Sequence, residues 1–323
     1  FYGLPKGIKA TEMVTVHEFG HNWWYGMVGN NEFEEAWLDE GINSYSELRM
    51  MDEFYGSNES MIEVPGFRAG EIAYQRPSYI PVARWDRTLR PAWTYIGGGY
   101  GSHSYSKPAL MLKTLENYIG REKMDQVMRS FFQRWKFHHP HSDDFIAEVN
   151  RVTGKDFNWF FDALLKGSED VDYEVRYVRT GKDREDVGLF DEGGEKVLLP
   201  RKPDSSAVAT PDSGATEPEL YTSVVRVHRI GEFIIPMDIL LVFENGDSLT
   251  TRWDGKERWF KYTVQRESKL AWAEVDPKHV LVLDKDFCNN SKTVSARKGP
   301  VNYITSRFLM FFETAMNVIG FMG

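Results

Sequence analysis

The chain has 323 residues, 41% of them hydrophobic, with a net charge of −9 and one cysteine. That length allows two or three domains with a sizeable core, and the acidic balance lacks the basic footprint of a nucleic-acid binder. Cys288 alone excludes an internal disulfide framework without fixing a compartment; set in Asp286-Phe287-Cys288-Asn289-Asn290, it reads as inert.

Residues 8–167 read as mostly helical, and residues 1–168 as one unit. The first segment carries His17-Glu18-Phe19-Gly20-His21. In a helix, positions i and i+4 share a face, so His17 and His21 can offer two imidazole nitrogens to one metal ion. Glu18 lies about 100° further round, beside that ion and not bound to it. Ala10-Thr11 can cap this helix, with Glu12 near its positive end. Met13, Val14, Val16, Phe19, Trp23 and Trp24 make the segment apolar on most sides, which predicts a buried helix. With eighteen residues between, His21 is followed by Glu40, in Trp37-Leu38-Asp39-Glu40-Gly41. Two histidines, one glutamate from a second helix and an open position make the donor set of a catalytic zinc centre. By chance, HExxH alone arises in roughly 1% of chains this long.

On these residues the sequence resembles the gluzincin metallopeptidases, specifically the M1 aminopeptidase family. Its HExxH-x-W and WLNEG segments are matched by His21-Asn22-Trp23 and by Trp37-Leu38-Asp39-Glu40-Gly41, with Asp39 in place of the commoner Asn. The resemblance implies His17, His21 and Glu40 as ligands of one Zn2+ and Glu18 as general base. It also implies a peptide substrate and a thermolysin-like catalytic subdomain. Zinc over manganese or cobalt rests on ligand type.

M1 enzymes also use a tyrosine, in a Tyr-x-Lys-Gly-type segment, to hold the oxyanion. A donor aimed at that charge is worth on the order of 2.7–4 kcal/mol. Tyr105-Ser106-Lys107-Pro108-Ala109 matches ahead of a helix-periodic run, with Pro108 for the usual Gly, a residue suited to a first helical turn. Tyr95 and Tyr100 are its rivals. Glu47, seven residues after Glu40, reads either as a partner for a ligand histidine's N–H or as a surface glutamate.

Members of the family carry a large β domain and a Gly-x-Met-Glu-Asn amine-binding motif before the zinc helix. Neither is in this sequence, so the resemblance implies a fragment whose partner is the missing N-terminal part of the same protein. Aminopeptidase is the family default; an endopeptidase and a non-catalytic M1-like scaffold are the alternatives.

Further helices are expected at Glu34–Tyr55, Lys107–Tyr118, Glu122–Lys136, Ser142–Val152 and Asp156–Lys166, with Ser142 and Asp156 as caps and Gly154 and Gly167 as stops. Ser57–Ser104, aromatic and rich in Pro and Gly, reads as an irregular cover over a cleft or as insertions between short helices. Gly97-Gly98-Gly99-Tyr100-Gly101 is expected to form a flexible wall, His103 to be a loop histidine, and the His138, His139, His141 cluster to form a turn.

From Asp172 the pattern changes to short β-branched or aromatic runs at Tyr173–Val178, Ser223–Arg229, Phe233–Val242 and Trp259–Val264, with a turn at Glu244–Asp247. These predict an antiparallel sandwich within 169–297, with a mobile insertion near 202–219. The tail, 298–323, is apolar yet holds Arg307 and Glu313, so it reads as the start of a further helical region, with membrane-surface contact as the alternative. The expected fold is therefore multidomain α+β. No signal peptide is recognisable, and localisation is left open.

Overall fold

The computed structural model describes residues 6–182, 188–192, 195–199, 219–296 and 298–321. Its first part is helical. Helix α1 (Ala10–Gly20) is followed by a 3₁₀ turn, Ala36–Leu38, and by α2 (Glu40–Tyr55). The continuous helix expected from Glu34 is thus broken at Asp39, and that break starts α2 at Glu40. A hairpin of β1 (Ile62–Val64) and β2 (Phe67–Ala69) leads to α3 (Glu71–Tyr79). After 3₁₀ turns at Ile80–Val82 and Ala92–Thr94, one helical turn, α4 (Gly99–Gly101), passes into a π turn, Ser102–Ser106, and into α5 (Lys107–Ile119). Then come α6 (Arg121–Trp135), α7 (Ser142–Thr153) and α8 (Asn158–Phe161), the last closed by a π turn at Asp162–Lys166. The 57–104 stretch is therefore insertions between short helices.

Two expectations about helix α1 change. Its N-cap is Lys9, without a side-chain cap bond, rather than Ala10 or Thr11. Nor is it buried all round: His17 is its buried residue, while Phe19 is 61% exposed. Met13, Val14 and Val16 are half-buried, and Phe19 stands open at the end of the helix. On α7 the cap moves from Ser142 to His141, whose backbone N–H donates to Asp144 at 2.8 Å. Ser142 instead accepts a hydrogen bond from the Trp37 indole at 2.8 Å. Gly154, in the left-handed region at φ +67°, ends α7 as expected.

The second part is antiparallel β. Strands β3 (Tyr173–Lys182), β6 (Tyr221–Arg229) and β9 (Trp259–Arg266) form one sheet in the order β3-β6-β9. The other runs β11-β10-β7-β8, from β7 (Met237–Phe243), β8 (Ser248–Trp253), β10 (Leu270–Val275) and β11 (Ser291–Thr293). Strands β4 (Gly188–Glu192) and β5 (Glu195–Leu199) form a separate hairpin. Along β7 every second residue is buried, the signature of a sheet with one face in the core. The strand expected from Phe233 begins only at Met237, because Pro236 cannot donate to a ladder. The mobile insertion expected near 202–219 lies outside the described residues but for Glu219. Helix α9 (Lys298–Phe321) ends the chain with Ile304, Phe308, Leu309 and Phe312 exposed. Among the described residues, no helix is long and apolar enough to cross a membrane.

One hydrophobic core runs through both parts, from Trp37, Tyr45, Phe131 and Phe145 to Tyr173, Phe233, Ile239 and Leu241. Arg76 of α3 also ties them, donating to the carbonyls of Val282 (2.9 Å) and Asp284 and lying over the Phe287 ring.

Candidate metal centre

His17 stands on α1, His21 is its C-cap, and Glu40 is the first residue of α2. Two glycines allow the close packing that joins these elements. A Cβ on Gly20 would lie 2.0 Å from Asn43 Oδ1, and Asn43 donates to the His17 carbonyl at 2.7 Å, locking α2 against the end of α1. A Cβ on Gly41 would lie 2.5 Å from Pro108 Cγ, so glycine after Glu40 lets the start of α5 approach α2. That approach carries Tyr105 to the metal-binding face.

The three expected ligands converge. His17 Nε2 lies 3.1 Å and His21 Nε2 3.3 Å from Glu40 Oε2. One ligand atom from each of the three residues falls within 4.8 Å of the others. The far side of each imidazole is occupied too. His17 Nδ1 is 2.8 Å from Glu47 Oε2, and His21 Nδ1 is 3.2 Å from the Trp24 carbonyl and 2.8 Å from Asp39 Oδ1. Acceptors at both Nδ1 atoms favour the tautomer with the proton there, which turns the Nε2 lone pairs toward Glu40. Two imidazole nitrogens and a carboxylate crowded around one point need a positive charge between them, and two His with one Glu fit zinc. The surroundings of His17 are anionic: burial disfavours charge on the ring, yet its bonds to Glu40 and Glu47 raise its pKa to about 9. Glu40 moves the other way. Burial would raise it, but His17 and Tyr105 hold its carboxyl below the ordinary range.

Around this centre opens a cleft of about 580 Å³, lined among others by Met13, Glu18, Tyr74, Gln75 and Tyr105. Glu18 reaches the cleft from α1 without joining the three converging ligand atoms. The Tyr105 hydroxyl donates to Glu40 Oε1, and its ring stacks on His17 at 5.7 Å. Burial, then the neighbouring Glu40, raise the pKa of this phenol, so it stays a donor. Of its rivals, Tyr95 donates to the Thr88 carbonyl and Tyr100 packs edge-on against Tyr105. Gly101 lines the cleft, as the glycine-rich wall was expected to.

His103 is no loop histidine: fully buried in the π turn, it stacks on Tyr95, and burial lowers its pKa to about 4. His139 Nδ1 meets the Gly29 carbonyl at 2.6 Å, a long-range contact 110 residues apart in sequence, and His139 is not among the converging ligand residues. Sequence reasoning missed two carboxylates. Asp39 stands behind His21, and burial pushes its pKa up to about 7; its position next to Glu40 was the available signal. Glu71 of α3 is fully buried beside Glu47, and burial, then the Glu47 charge, push its pKa up to about 9. No spacing in the sequence points to it.

Comparison with known proteins shows what the chain is similar to. Residues 6–164 match the peptidase family M1 domain. A leukotriene A-4 hydrolase homolog of Botryotinia fuckeliana is 26% identical over 197 residues, covering 58% of this chain and 29% of that protein. The glutamyl aminopeptidase of Bos taurus is 26% identical over 146 residues, 43% of this chain and 14% of that protein. A crystal structure of Legionella pneumophila aminopeptidase A in complex with aspartic acid has the same fold over 84% of this chain and 26% of that one, with a TM-score of 0.52 at 14% identity. The chain spans less than a third of the length of each of these proteins.

Proposed function

We propose, from the premise that this chain belongs to peptidase family M1 through residues 6–164, that it carries out zinc-dependent hydrolysis of peptide bonds, removing N-terminal residues from peptides. The observation that carries this reading is the convergence of His17, His21 and Glu40 on the floor of a cleft that Glu18 and Tyr105 also line. His17, His21 and Glu40 would hold one zinc ion, which would supply a Lewis acid toward the scissile carbonyl and lower the pKa of a water molecule toward neutrality. Glu18 takes the water's proton and delivers it to the leaving amine, so it must start unprotonated. Tyr105 donates its hydroxyl to the oxygen that gains charge; its present bond to Glu40 keeps that hydroxyl on the ligand side of the cleft. Asp39 and Glu47 hold the two imidazoles in their ligand orientation.

The test uses the zinc-loaded protein and one peptide supplied with a free and with an acetylated N-terminus, products being read by mass spectrometry. Stepwise shortening of the free peptide alone is the expected result, with Glu18→Gln inactive as the control. Internal cleavage of both peptides would make the protein an endopeptidase. Stoichiometric zinc without cleavage of either would leave an M1-like scaffold.

A further inference from the structure

Tyr105 does not stand on a regular helix. It belongs to the π turn Ser102–Ser106, a conformation seldom stable by itself and found mostly where a site needs it. Something must hold the turn in that register, because the backbone has a regular helical alternative. Helix α3 supplies the contacts. Ser106, directly after Tyr105, donates its hydroxyl to Gln75 Oε1 at 2.7 Å, with the two residues 5% and 6% exposed. Ser102, at the other end of the turn, donates to the Ser78 carbonyl at 2.9 Å in a more exposed position. Gln75 and Ser78 lie three residues apart and so share a face of α3. The inner of the two bonds is the stronger constraint. It is shielded from water, so breaking it leaves a buried polar group without compensation.

We infer that Gln75 is a positioning residue for the reaction: through Ser106 it fixes the π turn so that the Tyr105 hydroxyl faces Glu40 and the ligand cluster. Gln75 acts on the chemistry through Tyr105 and not by touching the reacting atoms. The inference rests on the oxyanion role proposed for Tyr105.

The experiment is a set of single and double variants of the zinc-loaded protein, assayed on the free peptide. Gln75→Met keeps the side chain's length and removes its acceptor; Ser106→Ala removes the donor from the other end. Each should lower kcat about tenfold, as expected for a misplaced group, while KM stays within about twofold. Zinc stoichiometry should not change. Combined, the two should cost no more than either alone, since both break one bond. Ser106→Thr, which restores a hydroxyl, should recover kcat. The deciding measurement is Gln75→Met in a Tyr105→Phe background, where it should have no further effect on kcat. An equal loss of kcat in both backgrounds overturns the inference, as does a raised KM with unchanged kcat, which would make Gln75 a substrate contact. Should Gln75→Met not fold, Ser106→Ala carries the same comparison. A Tyr105→Phe variant with full kcat is a different failure: it removes the oxyanion role itself, and the inference with it.

Discussion

The two walls of the cleft are held by different means. On the metal side, His17, His21 and Glu40 sit on two helices packed through Gly20 and Asn43, where ligand spacing follows from helix geometry. On the other side, Tyr105 stands on a π turn whose register depends on side-chain bonds to α3. On the proposed function, the first wall is a rigid bracket that should lose function when a ligand is removed. The second is an adjustable mount that should lose function when its supports shift. Each wall therefore has its own pattern of failure.

Removing the metal should have the largest effect. Chelation, or His21→Ala, should abolish turnover together with zinc binding, and readdition of zinc should restore the chelated protein but not the variant. Activity that survives in zinc-free protein would remove the bracket from the mechanism. Glu18→Gln should come next, with zinc content intact and kcat lower by on the order of 10²–10⁴-fold. The pair of results separates holding the ion from moving the proton. Tyr105→Phe probes the second wall and should cost about 10²–10³ in kcat without changing zinc content. A loss of zinc in that variant would mean that the two walls are one unit, since Tyr105 also donates to Glu40.

Glu47 tests the bracket from behind. Its carboxylate lies 2.8 Å from His17 Nδ1 and is not one of the three converging ligand residues. Glu47→Ala should weaken zinc affinity by roughly 10–100-fold, measured by competition with a chelator, and at saturating zinc turnover should largely return. No change in affinity would reduce Glu47 to a packing residue.

The contrast between the walls also accounts for what the sequence could reveal. HExxH with a glutamate at fixed distance is local geometry, so the convergence of His17, His21 and Glu40 was readable, while Tyr105 was a candidate only through the family resemblance of its segment before α5. Helix α3 was not readable. It is nine residues long with Pro77 inside it, and its working residues meet their partners some thirty positions away. The exposure of α1 was misread for a related reason: apolar periodicity reports which residues could be buried, not which face of the helix is covered. In the β part, alternation and turn chemistry gave the class of fold, while β8 and β10 were passed over and Pro236 shifted the start of β7.

The smallest effect lies where the walls touch, at the buried Glu71 of α3 beside Glu47 of α2. Burial, then the Glu47 charge, raise Glu71 from the ordinary 4.5 to about 9. Its folded state therefore holds a proton that the unfolded chain has released between these values. Stability must fall as pH rises through that window, and the contribution is fully present only below about 4.5. Glu71→Gln carries no proton to lose, so its stability should stay flatter across the same range. Thermal unfolding of zinc-free protein at pH 6 and pH 9 gives the measurement: the parent should lose more between the two than the variant does. Equal losses would mean that Glu71 is already ionised in the folded protein.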